Sequence, residues 1–365
     1  MKKHLILFLS IILVYYPLSS QKKTATAPSP GEEILFTPVV ELKSTSVKNQ
    51  SRTNTCWCFA TCSFIESELL RIGKGQYDLS EMYIIRYNYI DRLKDNYLRQ
   101  GKGNTDEGGQ SHDWMKVFSE YGIVPDDVYT GLNYGSPTHN HGEMNSFLKS
   151  AAEVAVSMKN SSEQYHKVVE SILDIYLGKV PESFSYKGET YTPLTFAKSL
   201  GINPDDYIEI TSFTHFPFYT TGVLEVPDNW RMSRFYNVPA DELIMIMDYA
   251  LNNRYTVNWD GDTSEDSFIN RKGFATFPED NVTQEMRQSM FENFTTTDDH
   301  LMHITGIARD QNGVKYYITK NSWGPESNKY GGYLNMSEQY VRAKTIFIMV
   351  NKNSIPPVIK TKLGL

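Results

Sequence analysis

Apolar residues recur at helical spacing from Cys56 to Ile72, where Trp57, Ala60, Phe64, Ile65, Leu69 and Ile72 fall along one side. Asn54 or Thr55 stands where such a helix is capped and Gly73 where it stops, so the pattern predicts a helix headed by Cys56. The same signals predict helices from Ser80 through Arg92, opened by Ser80-Glu81, and from about Ser111 to Tyr121, ended by Gly122. Gly142 to Lys159, Ser161 to Leu177 and Ala240 to Asn252 are also helical in pattern, and a Pro- and aromatic-rich segment, Asp205 to Pro239, precedes the last of them. The final third changes period. Leu301 to Arg309 and Val314 to Lys320 read as strands joined by Asp310-Gln311-Asn312-Gly313, whose Asn-Gly is a hairpin signal, and Tyr333 to Met336 and Thr345 to Asn351 add two more. Helices followed by strands predict an α+β fold, a helical N-terminal lobe and an antiparallel-sheet C-terminal lobe with a cleft between them. The tail from Ser354 to Leu365 carries Pro356-Pro357 and shows neither helical nor strand periodicity.

The N-terminus reads differently. Met1-Lys2-Lys3-His4, the apolar run Leu5 to Tyr16 and small residues before Gln21 predict a secretory signal over residues 1–20, cleaved near Ser20. An uncleaved membrane anchor is the competing reading, disfavoured because the apolar run falls short of the roughly 20 residues that span a bilayer. Export, to a periplasm or outside the cell and with no membrane attachment after cleavage, follows as the expected localisation. Residues 21–33 read as a linker and 34–365 as one domain. That layout leaves no room for a folded prodomain ahead of Cys56. Lys and Arg number 36 against 43 Asp and Glu, a formal charge of −7 with no basic cluster, which argues against nucleic acid as a partner.

The three cysteines, Cys56, Cys58 and Cys62, lie within one heptapeptide, so they form no disulfide framework. A cysteine attacks as thiolate, and a helix N-terminus favours that form. Cys56 has this placement, whereas Cys58 and Cys62 lie deeper in the helix and read as buried small hydrophobes. Gln50, in the polar loop leading to the helix, has an amide N–H suited to a developing oxyanion, beside the N–H of Cys56. A base must be an imidazole oriented by a third group. The hairpin offers His300 at the start of its first strand and Asn321 just after its second, with Trp323 placed to shield their bond from water. His303 competes with His300. Alternation puts the two on opposite faces, and pattern alone does not choose between them.

Gln50, Cys56-Trp57, His300 and Asn321-Ser322-Trp323-Gly324, in that order, resemble the papain superfamily of cysteine peptidases. Leu79-Ser80-Glu81 and Gly108-Gly109 resemble it too. The resemblance implies a papain-like two-lobe fold in which Gln50 supports the oxyanion, Cys56 is the nucleophile, His300 the acid/base and Asn321 its orienter. It also implies that Gly108 and Gly109 pair with the backbone of a bound peptide and that no cofactor is needed. Cys56 and His300 stand 244 positions apart, against about 130 to 150 in papain-type chains. The excess is read as an insertion at about 141–250. With the missing prodomain and the segment Val257 to Asp262, it is similar to the bleomycin hydrolase and aminopeptidase C branch. In that branch the C-terminal tail lies in the cleft, so Leu365 is expected to offer its carboxylate to the substrate α-ammonium, and an aminopeptidase is expected.

Peptides are the implied substrates. A secreted papain-like endopeptidase and an inactive peptide-binding relative are the alternative readings, and a homo-oligomer is compatible with the sequence. His139, His141 and Glu143 crowd one loop, but no fourth ligand or known spacing supports a metal there, and none is expected.

Overall fold

The computed structural model describes residues 33–365. The signal expected over 1–20 and nearly all of the linker expected over 21–33 lie outside the described residues. The chain opens with β1 (Thr37–Glu41) and then three helices, α1 (Cys56–Arg71), α2 (Glu81–Leu98) and α3 (Ser111–Tyr121). Ser80 caps α2 by accepting from the Tyr83 N–H at 3.0 Å. That helix runs past the expected Arg92, because the first breakers after it are Gln100 and Gly101, both at positive φ. Next come α4 (Gly142–Ser157), α5 (Glu163–Leu177), the small hairpin β2 (Phe184–Tyr186) and β3 (Glu189–Tyr191), and α6 (Pro193–Leu200).

The Pro- and aromatic-rich segment contains short strands, β4 (Tyr207–Thr211), β5 (Thr221–Val223) and β6 (Arg234–Asn237), ahead of α7 (Ala240–Asn252). Then follow β7 (Val257–Gly261), β8 (Phe268–Ile269), β9 (Phe274–Ala275), α8 (Gln284–Glu292), β10 (His300–Arg309), β11 (Lys315–Lys320) and β12 (Tyr333–Ser337). Finally come α9 (Glu338–Lys344), β13 (Thr345–Asn351) and α10 (Pro357–Leu363). Apart from the separate β2-β3 hairpin, the strands form one large sheet ordered β5-β6-β4-β13-β7-β10-β11-β12-β9-β8, with β1 on the far end of β10. Its pairings are antiparallel apart from β4 with β6 and β12 with β9. The hairpin turns where Asn312-Gly313 predicts it: Asp310 Oδ1 accepts from the N–H groups of Asn312 and Val314, and Gly313 takes φ 84°.

Strand alternation divides the interior in two. Leu301, Phe347 and Met349 face α1, α2 and α3 in the first core. Met302, Ile304, Ile348 and Val350 face α7, α9 and α10 in the second. The region expected as an insertion contributes to both: β4 pairs with β13, and α7 packs on the second face. The tail, expected to be slender and patternless, is instead the helix α10, with Ile355, Ile359 and Leu363 buried four residues apart. Pro356 and Pro357 stand at its start, where a fixed φ and a missing N–H cost nothing. Polar ties hold α1 to the sheet, Asn258 Nδ2 donating to Thr61 Oγ1 at 2.9 Å and to Ser111 Oγ of α3 at 2.8 Å. This clamps the head of α1 over the start of β10.

Candidate active site

Cys56 is the first residue of α1 and is 8% exposed. The carbonyl of Thr55 accepts from the Cys58 N–H at 2.9 Å, and the Thr55 hydroxyl turns away to Thr53 at 2.7 Å. The Cys56 N–H, at the helix start, has no intrahelical acceptor and remains a donor beside its own sulfur. Burial pushes the Cys56 thiol up to about 12. A hydrogen bond from the Leu301 N–H opposes this, while the carboxylates of Asp260, Asp228 and Asp298 add to it. The sulfur therefore lies against the residue that follows His300. Cys58 and Cys62 are sealed in the core, Cys58 Sγ facing the Glu81 carbonyl at 3.4 Å and Cys62 Sγ accepting from Trp114 Nε1 at 3.0 Å.

His300 Nε2 meets Asn321 Oδ1 at 2.8 Å, which leaves Nδ1 for the thiol side. The asparagine cannot flip without loss. Its Oδ1 also accepts from the Ser322 N–H at 2.7 Å, and its Nδ2 donates to Asn270 Oδ1 at 3.2 Å. Trp323 stacks on the imidazole at a centroid distance of 4.8 Å and is itself met edge-on by Phe268. In this dry setting burial pulls the His300 imidazole down to about 4, partly offset by the bond to Asn321. Burial opposes the charged form of each group taken singly, and an opposite charge nearby favours it. His303 faces the other way, its Nδ1 at 2.8 Å from Ser63 Oγ, which also accepts from Lys320 Nζ at 2.8 Å. It belongs to a polar network beneath α1.

Gln50 is held on both sides of its amide. Ser322 Oγ donates to Oε1 at 2.6 Å, and Nε2 donates to the Thr53 carbonyl at 2.8 Å. One N–H of that nitrogen remains uncommitted. The Gln50 main chain is also tied to Ser322 at 2.8 Å, so the loop before α1 and the loop after β11 are fixed together.

Gly108 stands against Asp228 and Gly109 against Trp57, and both are glycine for lack of space. A Cβ on Gly108 would overlap the Asp228 carboxylate; one on Gly109 would stand 2.9 Å from the Trp57 ring and 3.0 Å from Asp113 Oδ2. Trp57 is fully buried and donates to the Glu107 carbonyl at 3.0 Å, so it has no room to yield. Gly109→Ala is expected to cost about 1–3 kcal/mol of stability and to raise KM, read by thermal unfolding and steady-state kinetics. Unchanged values of both would show that the backbone here has slack.

Leu365 is not brought to this site. Its N–H donates to the Lys360 carbonyl at 3.1 Å and its side chain packs on the second core, across the sheet from α1. The expectation that its carboxylate reaches the cleft is corrected accordingly, since the apolar stripe of α10 binds the tail to the opposite face. Sequence reasoning missed Asn270, the Leu301 N–H and the three carboxylates around the thiol. Nothing local marks these, because each comes from a distant segment. His141, from the crowded histidine loop, is fully buried with neither ring nitrogen hydrogen-bonded, and it packs against Tyr89 and His139.

The profile of the Peptidase C1-like family matches residues 22–364. Cysteine proteinase 1, mitochondrial, of Saccharomyces cerevisiae is 23% identical over 389 residues, covering 90% of this chain and 79% of that protein. Aminopeptidase W of Lactobacillus delbrueckii subsp. lactis is also 23% identical, covering 92% of this chain and 88% of its own. The crystal structure of PepW from Lactobacillus rhamnosis HN001 superposes with a TM-score of 0.72 at 20% identity, covering 90% of this chain and 84% of that one. With a thiol at a helix head, lying against the residue that follows an asparagine-bound histidine, and a match over nearly the whole length, the chain belongs to the Peptidase C1-like family and is a cysteine peptidase of papain-like fold.

Proposed function

We propose that this chain is an aminopeptidase that releases N-terminal residues from peptides through a thioester on Cys56. The observation that carries the reading is the meeting of the Cys56 sulfur with the His300–Leu301 backbone while His300 Nε2 is bound to Asn321 Oδ1. In the first step His300 Nδ1 takes the thiol proton and the sulfur attacks the scissile carbonyl. The Cys56 N–H and the free N–H of Gln50 Nε2 bear the oxyanion. His300 then passes its proton to the departing amine, leaving a thioester. Water, giving a proton to His300, hydrolyses that ester, and the proton returns to the sulfur.

The exopeptidase part of the proposal is supported by relatives named as aminopeptidases W, E and C, each matched over four-fifths or more of its length. The basic start and apolar run of the first twenty residues support export. The test compares a fluorogenic amino-acid amide having a free α-amine with its N-acetylated counterpart. The free form is expected to be cleaved at least about 10²-fold faster, since a lost ionic anchor of about 3 kcal/mol gives that factor. Equal rates would point to an endopeptidase.

A further inference from the structure

Three carboxylates converge on the nucleophile from three parts of the chain. Asp260, in β7, is the cross-strand partner of Leu301, so its side chain emerges on the face where the Leu301 N–H meets the Cys56 sulfur. Asp298 lies two residues before His300. Its Oδ2 accepts from Gln110 Nε2 at 2.7 Å, next to Gly109, and its carboxyl is within hydrogen-bonding reach of Asp260. Asp228 comes from the loop before β6, lies against Gly108 and accepts from Asn104 Nδ2 at 3.3 Å. All three act electrostatically on the Cys56 thiol.

These carboxylates lack what buried carboxylates ordinarily have. Asp260 is completely buried, and apart from the neighbouring Asp298 carboxyl its oxygens have no hydrogen-bond partner among the described residues. No Lys, Arg or His among the described residues forms an ion pair with Asp228, Asp260 or Asp298. Arg92, which donates to the Gly108 carbonyl, acts on Asp228 without forming an ion pair with it, and no cation acts on Asp260 or Asp298. Buried carboxylates so poorly compensated are costly, so a cation from outside is the natural complement. Asp298 is open on one side, where it lines a cavity of about 510 Å³ whose other walls include Val226, Phe291 and Phe294. No three His, Cys, Asp or Glu side chains among the described residues are grouped to hold a metal ion. In a free amino-terminal residue the ammonium nitrogen lies only ~2.5 Å from the attacked carbonyl carbon, two bonds away. A group that recognises it must therefore stand close to the thiol, as these do.

We propose that Asp260, Asp298 and Asp228 form the subsite that holds the substrate α-ammonium, so that these side chains, and not the carboxylate of Leu365, direct cutting to the free N-terminal residue. The inference rests on the aminopeptidase reading above. It carries a further consequence. The same carboxylates oppose ionisation of Cys56, so an ammonium docked among them relieves that opposition, and a free-amine substrate activates the nucleophile that will attack it.

The experiment uses the full chain with Asp298→Asn and Asp228→Asn, made singly because Asp260 is buried in a strand. Each is assayed on a free and an N-acetylated substrate, and on N-acetyl-lysyl and N-acetyl-leucyl dipeptide substrates. Each is also alkylated with iodoacetamide, a neutral reagent, at pH 7. The ratio of kcat/KM for free over acetylated substrate is expected to fall tenfold or more, while alkylation of Cys56 at least doubles in rate, a gain that mere misfolding of the site does not produce. A preference for free amines that survives in both variants overturns the inference alone. Selective loss of activity on the lysyl substrate, with the free-amine preference kept, also overturns it by assigning the carboxylates to a basic side chain. A wild-type protein without any free-amine preference sinks the aminopeptidase reading itself.

Discussion

Cys56→Ala is expected to abolish turnover, a loss on the order of 10⁶-fold in kcat, and His300→Ala to lose about as much. Alanine at 56 removes the atom that forms the thioester; alanine at 300 leaves a buried thiol with nothing to take its proton. The double variant should be no worse than the weaker single one, because each removes the same step. Asn321→Ala should be milder, about 10²-fold, since the imidazole stays present but loses its aim. Its oxygen is the partner of His300 Nε2, and Trp323 alone would then fix the ring. The measurements are turnover of a free-amine peptide amide and mass-detected labelling by a thiol-directed epoxide. Labelling that persists at Cys58 or Cys62 in Cys56→Ala, with turnover intact, would assign the nucleophile wrongly here.

The second large effect is on stability and lies in the tail. Ile359 is fully buried and Leu363 nearly so, both against the second core. Ile359→Ala and Leu363→Ala should each cost about 2–4 kcal/mol, read as a lower urea midpoint with an unchanged slope. Removing only Gly364 and Leu365 should leave the preference for free amines within about twofold, because a factor of two is less than 0.5 kcal/mol of differential binding. A shortened chain that keeps its stability and begins to cut acetylated peptides would restore the terminal carboxylate to the cleft.

How far the sequence could be read differs from element to element. The ends of α3 and α7 agree with their caps and breakers, because those signals are local. The hairpin carrying His300 and Asn321 was equally legible, being fixed by one turn. The choice between His300 and His303 was not, since alternation separates the two faces without saying which one holds the nucleophile. The structure separates them by partner, Asn321 for one and Ser63 for the other. The short strands β4, β5 and β6 escaped notice because three to five residues carry too little period to register. α10 is not legible because its stripe, Ile355, Ile359 and Leu363, straddles two prolines, and proline is compatible with a helix only in its first turn.

By itself the sequence determined the order of helices and strands, the cysteine at a helix head and the residue types able to act as base and orienter. These follow from neighbours within a few positions, where backbone propensity and side-chain chemistry act directly. Only the tertiary structure decided which face receives the tail, and only it gathered Asp228, Asp260 and Asp298 around one sulfur. Burial and Coulomb interaction depend on distance in space, and residues tens of positions apart acquire that distance only when the sheet closes over α1.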